Sequence, residues 1–156
     1  MDAAVLVFSE HGYHNAKVSD ICALAQVNPA SVNYHFGSKE GLYRAMWNRH
    51  FKEGQWTQDD YATIARQSPE ERLSSIIDSL VRQYMDRGVA GKFARMYIQE
   101  LLNPTDFIND EWFALILPTR ELMENSIREI VGADLTQEEL YMCKFSLSVA
   151  CRGVYL

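Results

Sequence analysis

Residues 18–43 read V-S-D-I-C-A-L-A-Q-V-N-P-A-S-V-N-Y-H-F-G-S-K-E-G-L-Y. Their spacing predicts two short helices joined by a tight turn, with a third helix beginning at once. Val18, Ile21, Cys22 and Ala25 recur at helical spacing as one apolar stripe. Gln26-Val27-Asn28 makes the turn, with Val27 the one apolar residue able to pin it to a core. Asn28-Pro29 reads as an N-cap followed by proline at the first helical position, where a missing N–H costs nothing. The second helix, Pro29 to Phe36, stops at Gly37, the residue expected where the backbone turns left-handed. Ser38 caps a longer helix with Lys39 and Glu40 in its first turn. Two short helices about such a turn form the helix-turn-helix unit, whose second helix enters the DNA major groove.

That second helix carries the candidate binding surface. Val32 and Phe36 sit four apart and face inward, which leaves Pro29, Ala30, Ser31, Asn33, Tyr34 and His35 outside, an edge without an acidic side chain. Small residues let the backbone approach base edges, and asparagine can pair bidentately with adenine. Tyr34, His35 and Lys39 suit phosphate oxygens, which position a protein without reading sequence. The same spacing also occurs in helical domains that never touch DNA.

Three segments in order carry a resemblance: A-A-V-L-V-F-S-E-H-G-Y (Ala3–Tyr13), D-I-C-A-L-A-Q-V-N (Asp20–Asn28) and N-Y-H-F-G-S-K-E-G-L-Y (Asn33–Tyr43). Together they resemble the DNA-binding domain of the TetR (tetracycline repressor) family. The resemblance implies an all-α fold, with a three-helix helix-turn-helix DNA-binding domain at residues 1–46. A helical effector-binding and dimerisation domain would follow at 47–156. Carried over by position, Asn28, Pro29, Ala30, Ser31 and Asn33 fall where the family reads bases, and Tyr34, His35 and Lys39 where it grips phosphates. Three positions depart from the pattern. Gln26 replaces the usual turn glycine, which forces a side chain into a conformation that favours glycine. Asn33 replaces a frequent tyrosine, and Lys17 stands where a threonine commonly caps.

Composition sets outer bounds. The chain has 156 residues, 47% hydrophobic, enough for one or two small domains with a core. Its net charge of −6 is unevenly spread. Lys17, Lys39, Arg44 and Arg49 balance Asp2, Glu10, Asp20 and Glu40 in the first fifty residues, and the acidity lies beyond them. A neutral head permits DNA binding and predicts modest non-specific affinity. No apolar run approaches the roughly 20 residues of a membrane span, and no secretory signal is visible. The expectation is a cytoplasmic protein with no membrane partner. Three cysteines without metal-ligand spacing fit a reducing compartment, and neither metal nor cofactor is expected. Glycine-rich phosphate loops, HExxH, CxxC and G-x-S-x-G are all absent, so no catalytic residues are assigned and no enzyme is expected. Cys143 and Cys151, eight apart, return to one helix face, as redox partners or as small apolar packing groups.

The remainder reads as further helices. One spans Asp2 to Glu10 and ends at Gly12, and the helix from Ser38 continues to Trp56. Thr57 to Ser68 is the best linker candidate. Ser68-Pro69-Glu70-Glu71 opens a helix with a capping box, and another runs from Ala90 to Leu102. Asp110 caps a helix to Val131, in which Pro118 predicts a kink or break near Leu117. Thr136-Gln137-Glu138-Glu139 opens a last helix whose apolar pattern still runs at Val154. From about residue 57 the chain resembles no single family by motif.

Family context implies a dimer built on the last two long helices. Here the helix from Thr136 is one and its partner is not in the sequence. A basic lead-in before the first helix is also absent, as expected either of a truncated chain or of a naturally short one. Candidate ligand-binding residues are Tyr84, Phe93, Met96, Tyr97, Phe107, Trp112, Phe113 and Met123, with Arg95, Gln99 and Arg120 as polar anchors, since pockets are mostly apolar with a few placed polar groups. The expected function is a homodimeric, ligand-responsive transcriptional repressor. It would bind a palindromic double-stranded DNA operator and be released by a small apolar or aromatic effector. The rival reading is a helical small-molecule-binding or scaffold protein without DNA-binding activity.

Overall fold

Local chemistry sets most helix boundaries. A computed structural model describes the backbone of residues 1–107 and 109–153, and their side chains except at 101, 102, 109–115, 148, 152 and 153. Among these residues the elements are all helices: α1 (Asp2–Asn15), α2 (Val18–Ala25), α3 (Pro29–Phe36), α4 (Lys39–Gly54), α5 (Gln58–Ile64), α6 (Pro69–Met85), α7 (Val89–Leu102), α8 (Asn109–Val131) and α9 (Gln137–Gly153). Asn28 Oδ1 accepts from the Ala30 N–H at 2.8 Å, and Ser38 Oγ accepts from the Gly41 N–H at 3.0 Å. Ser68 with Glu71 and Thr136 with Glu139 close reciprocal capping boxes. Gly37 has φ 72°, and Lys17 leaves α2 without a side-chain cap. Gly12, at φ 70° and ψ 166°, breaks the helical run of α1 in a backbone region open to glycine, and the last turn continues to Asn15.

Several expectations need correction. The proposed linker is largely the helix α5, because Thr57 and Asp60 make a capping box of their own. Its polar composition reflects solvent exposure, not lack of structure. Of the kink or break expected at Pro118, the break is absent, since helix α8 continues through it. A proline removes one N–H and crowds one carbonyl, and the turns on both sides hold the helix together. Ala25 and Val27 are exposed, Val27 by 46%, so Val27 does not pin its turn to the core. The turn is held by backbone instead, with the Val27 N–H donating to Cys22 O at 3.0 Å. The capping role of Asp110 and the place of Val154 in its stripe lie outside the described residues.

The chain divides into two compact units. The first comprises Met1–Gly54 and Asp86–Trp112. Its core holds Val5 and Phe8 of α1, Cys22 of α2, Met46 and Trp47 of α4, and Phe93 and Met96 of α7. Trp47 is only 2% exposed and packs on Phe93 with ring centroids 4.7 Å apart. Burying each such side chain contributes about 1.5–3 kcal/mol. The second unit comprises Gln55–Met85 and Phe113–Leu156. In it α6 packs on α9 and α5 on α6, with Ile76 and Leu140 fully buried. Tyr61 hydrogen-bonds Thr119, while Arg72 pairs with Glu129 and Lys144 with Glu124, tying α5, α6 and α9 to α8. Arg128 donates to the carbonyl of Leu135 at 2.8 Å and so fixes the α8–α9 turn.

Candidate nucleic-acid interface

The turn between α2 and α3 is made without glycine. Gln26 takes φ 55° and ψ 42°, a left-handed conformation that crowds its Cβ. Its N–H donates to Ala23 O at 3.2 Å, and Asn28 then starts α3. Val32 is buried and Phe36 half-buried, which anchors one face of α3. Pro29, Ala30, Asn33, Tyr34 and His35 are exposed, Tyr34 by 85%, and the N-cap Asn28 is exposed beside them. These residues thus share one helix edge that carries no carboxylate.

Ser31 is half-buried. With His35 it borders a shallow groove of about 330 Å³, floored by Ala4, Ile21, Val32 and Leu42. This placement turns Ser31 sideways relative to its neighbours. The nearest acidic side chain on the following helix, Glu40, is engaged by Arg44 at 2.9 Å. That leaves the α3 edge facing solvent without an adjacent unpaired carboxylate from the start of α4.

Lys39 is held more closely than a surface lysine. Its Nζ donates to His14 O at 3.1 Å and lies 4.7 Å from the centre of the Tyr13 ring. Partial burial lowers its pKa from the ordinary lysine value. Tyr13 is raised above its ordinary value, first by burial and then by the Glu40 carboxylate. Tyr13 and His14 are not among the DNA-contact candidates that the sequence offers. The Gly12-Tyr13 pair was the available signal, since a glycine bend there redirects the chain so that the tyrosine ring comes under Lys39.

The comparisons bear on both halves of the chain. Residues 1–46 match bacterial regulatory proteins of the tetR family. Residues 69–152 match the C-terminal domain of the HTH-type transcriptional dual regulator CecR. The chain belongs to the TetR family. This family is one of transcriptional regulators, not of enzymes. The second match corrects the expectation that the C-terminal part of this TetR-family chain resembles no single family, because helical core patterns leave no short motif to recognise. The chain is 27% identical over 109 residues to the biofilm operon icaADBC HTH-type negative transcriptional regulator IcaR of Staphylococcus aureus strains Newman and COL, covering 69% of this chain and 54% of that protein. It is 39% identical over 46 residues to the HTH-type transcriptional regulator UidR of Escherichia coli K12, covering 30% of this chain and 24% of the relative. It thus spans about half the length of IcaR.

The candidate ligand residues of this TetR-family chain fall in both units. Phe93 and Met96 are buried in the first unit, and Phe93 also packs on His50 and Phe51 at 5.4 and 5.5 Å. Tyr97 packs on Phe51 at 5.8 Å, Phe107 on Tyr13 at 4.8 Å, and Arg95 points a nitrogen at Asp86 O at 3.4 Å. Gln99 is exposed. Tyr84, Arg120 and Met123 fall in the second unit, where Arg120 pairs with Glu124 at 2.9 Å. The side chains of Trp112 and Phe113 lie outside the described residues. Cys143 is half-buried and Cys151 buried.

Proposed function

We propose that this chain is the DNA-reading and effector-sensing part of a homodimeric transcriptional repressor acting in the cytoplasm. The observation that carries the reading is the acid-free, solvent-facing edge of α3 from Asn28 to His35. In this reading Asn28, Pro29, Ala30, Ser31 and Asn33 meet base edges, and Tyr34, His35 and Lys39 meet phosphates. The role of IcaR as a negative transcriptional regulator supports repression as the sign of control.

Residues 1–46 would form the DNA-binding domain and 47–156 the effector-binding and dimerisation domain. Two heads would read half-sites of a palindrome roughly 34–36 Å apart. A small apolar or aromatic effector would favour the head spacing that does not fit DNA, and could shift the equilibrium only by its difference in affinity for the two states. The candidates for effector contact lie in both units, with Tyr84, Phe93 and Met96 buried in the cores and Met123 half-buried.

The test is fluorescence anisotropy with duplexes tiled across the DNA flanking the chain's own gene. Salt-sensitive binding should appear on one duplex and be lost or strongly weakened by Tyr34→Ala and Lys39→Ala, the lysine change also lowering the salt slope by about 1 per subunit bound. Undiminished binding by both variants refutes the contact assignment. Absence of binding to every duplex favours the scaffold reading.

A further inference from the structure

Lys39 is the one cation in the proposed contact set, and its surroundings show how it is aimed. The Tyr13 ring beneath it is walled by Tyr43 at 4.9 Å and Phe107 at 4.8 Å. Phe107 belongs to the connection that follows α7. That connection is tied down by Glu100: Oε1 accepts from both the N–H and the hydroxyl of Thr105 at 2.6 Å, and Oε2 accepts from the Tyr43 hydroxyl at 2.9 Å. No carboxylate pairs with Lys39 among the described residues, so no opposite charge competes with a phosphate there. The ring and the His14 carbonyl restrict the ammonium without neutralising it.

We infer that Tyr13 is a positioning residue for the phosphate-gripping Lys39, and that Phe107, latched through Glu100, holds Tyr13 in place. The inference rests on the DNA-binding reading above and adds a route for its regulation. Movement of the segment from Glu100 to Phe107 frees the Tyr13 ring, and the ammonium then scatters over the rotamers of a flexible four-carbon stem. DNA affinity falls without any contact between that segment and DNA.

The experiment uses the whole 156-residue chain and a labelled random-sequence duplex, titrated between about 50 and 200 mM salt. Tyr13→Phe keeps the ring and should bind as the wild type does. Tyr13→Leu should weaken binding about two- to fivefold, the value of an exposed cation–ring contact. It should also lower the salt slope toward that of Lys39→Ala, by up to about 0.9 per subunit bound. Phe107→Leu should move affinity and slope in the same direction, and serves in place of Tyr13→Leu if that variant melts early. Adding Tyr13→Leu to Lys39→Ala should cost nothing more. A folded Tyr13→Leu or Phe107→Leu with the wild-type salt slope, or full additivity in the double variant, overturns the inference. Failure of the wild type to bind any duplex is a different result, and removes the DNA-binding reading itself.

Discussion

Replacing Glu100 by leucine tests the buried latch of the first unit. Glu100 is 7% exposed and accepts three hydrogen bonds, from the Tyr43 hydroxyl and from the N–H and hydroxyl of Thr105. Tyr43 is itself buried, and its pKa is pushed well above the ordinary tyrosine value, first by burial and then by the Glu100 charge. In Glu100→Leu the Tyr43 hydroxyl is left without an acceptor where water does not reach, a loss of about 1–3 kcal/mol. Thr105 is only half-buried, so water can replace the carboxylate there at a cost of about 0.5–1.5 kcal/mol. Against this, a carboxylate no longer has to be desolvated and a leucine is buried in its stead. The net expectation is a loss of about 1–3 kcal/mol, read as a lower urea midpoint at unchanged slope.

The decisive comparison is the double variant Tyr43→Phe with Glu100→Leu. Removing both partners leaves no orphaned hydroxyl, so the pair should recover at least about 1 kcal/mol relative to the sum of the single changes. If Glu100→Leu unfolds within about 0.5 kcal/mol of wild type, or the two changes simply add, the carboxylate is not holding Tyr43 and the reasoning fails.

Two further outcomes follow from the same unit. His50 lies under Phe93 with Asp2 and Glu53 carboxylates at 3.6 and 3.4 Å, and burial, outweighing those two charges, lowers its pKa below the ordinary 6.5. The unfolded chain therefore takes up a proton that the fold resists. Stability from this residue is fully present above about pH 6.5 and is lost as pH falls through the folded value. Melting temperature should decline over that window, and His50→Gln should flatten the decline; parallel curves would show that His50 is not responsible. Gln26→Gly relieves the left-handed backbone at φ 55° and should raise stability by about 0.5–1 kcal/mol after the extra freedom of the unfolded glycine is deducted, and a drop in melting temperature would contradict it.

The sequence alone decided the features that depend on neighbours along the chain. The limits of α2 and α3 follow from Asn28-Pro29 and Gly37, because capping and backbone restriction act over two or three residues. The same holds for the capping boxes at Ser68 and Thr136. It held equally at Thr57 and Asp60, where the signal was present and the polar composition misled. The exposed edge of α3 was legible because one helix turn fixes which side chains share a face.

Tertiary structure decided what needs a partner distant in sequence. Side-chain type marks Phe93 and Phe107 as apolar, but only the fold shows Phe93 filling a core with Trp47 and Phe107 walling Tyr13. Glu100 reads in sequence as a solvated charge, since nothing local announces the Tyr43 hydroxyl fifty-seven positions away. Ala25 and Val27 read as core for the opposite reason: periodicity reports a stripe, and burial depends on whether another element covers it. Local rules act through the covalent chain and survive any fold, whereas pairing and burial belong to the packed arrangement alone.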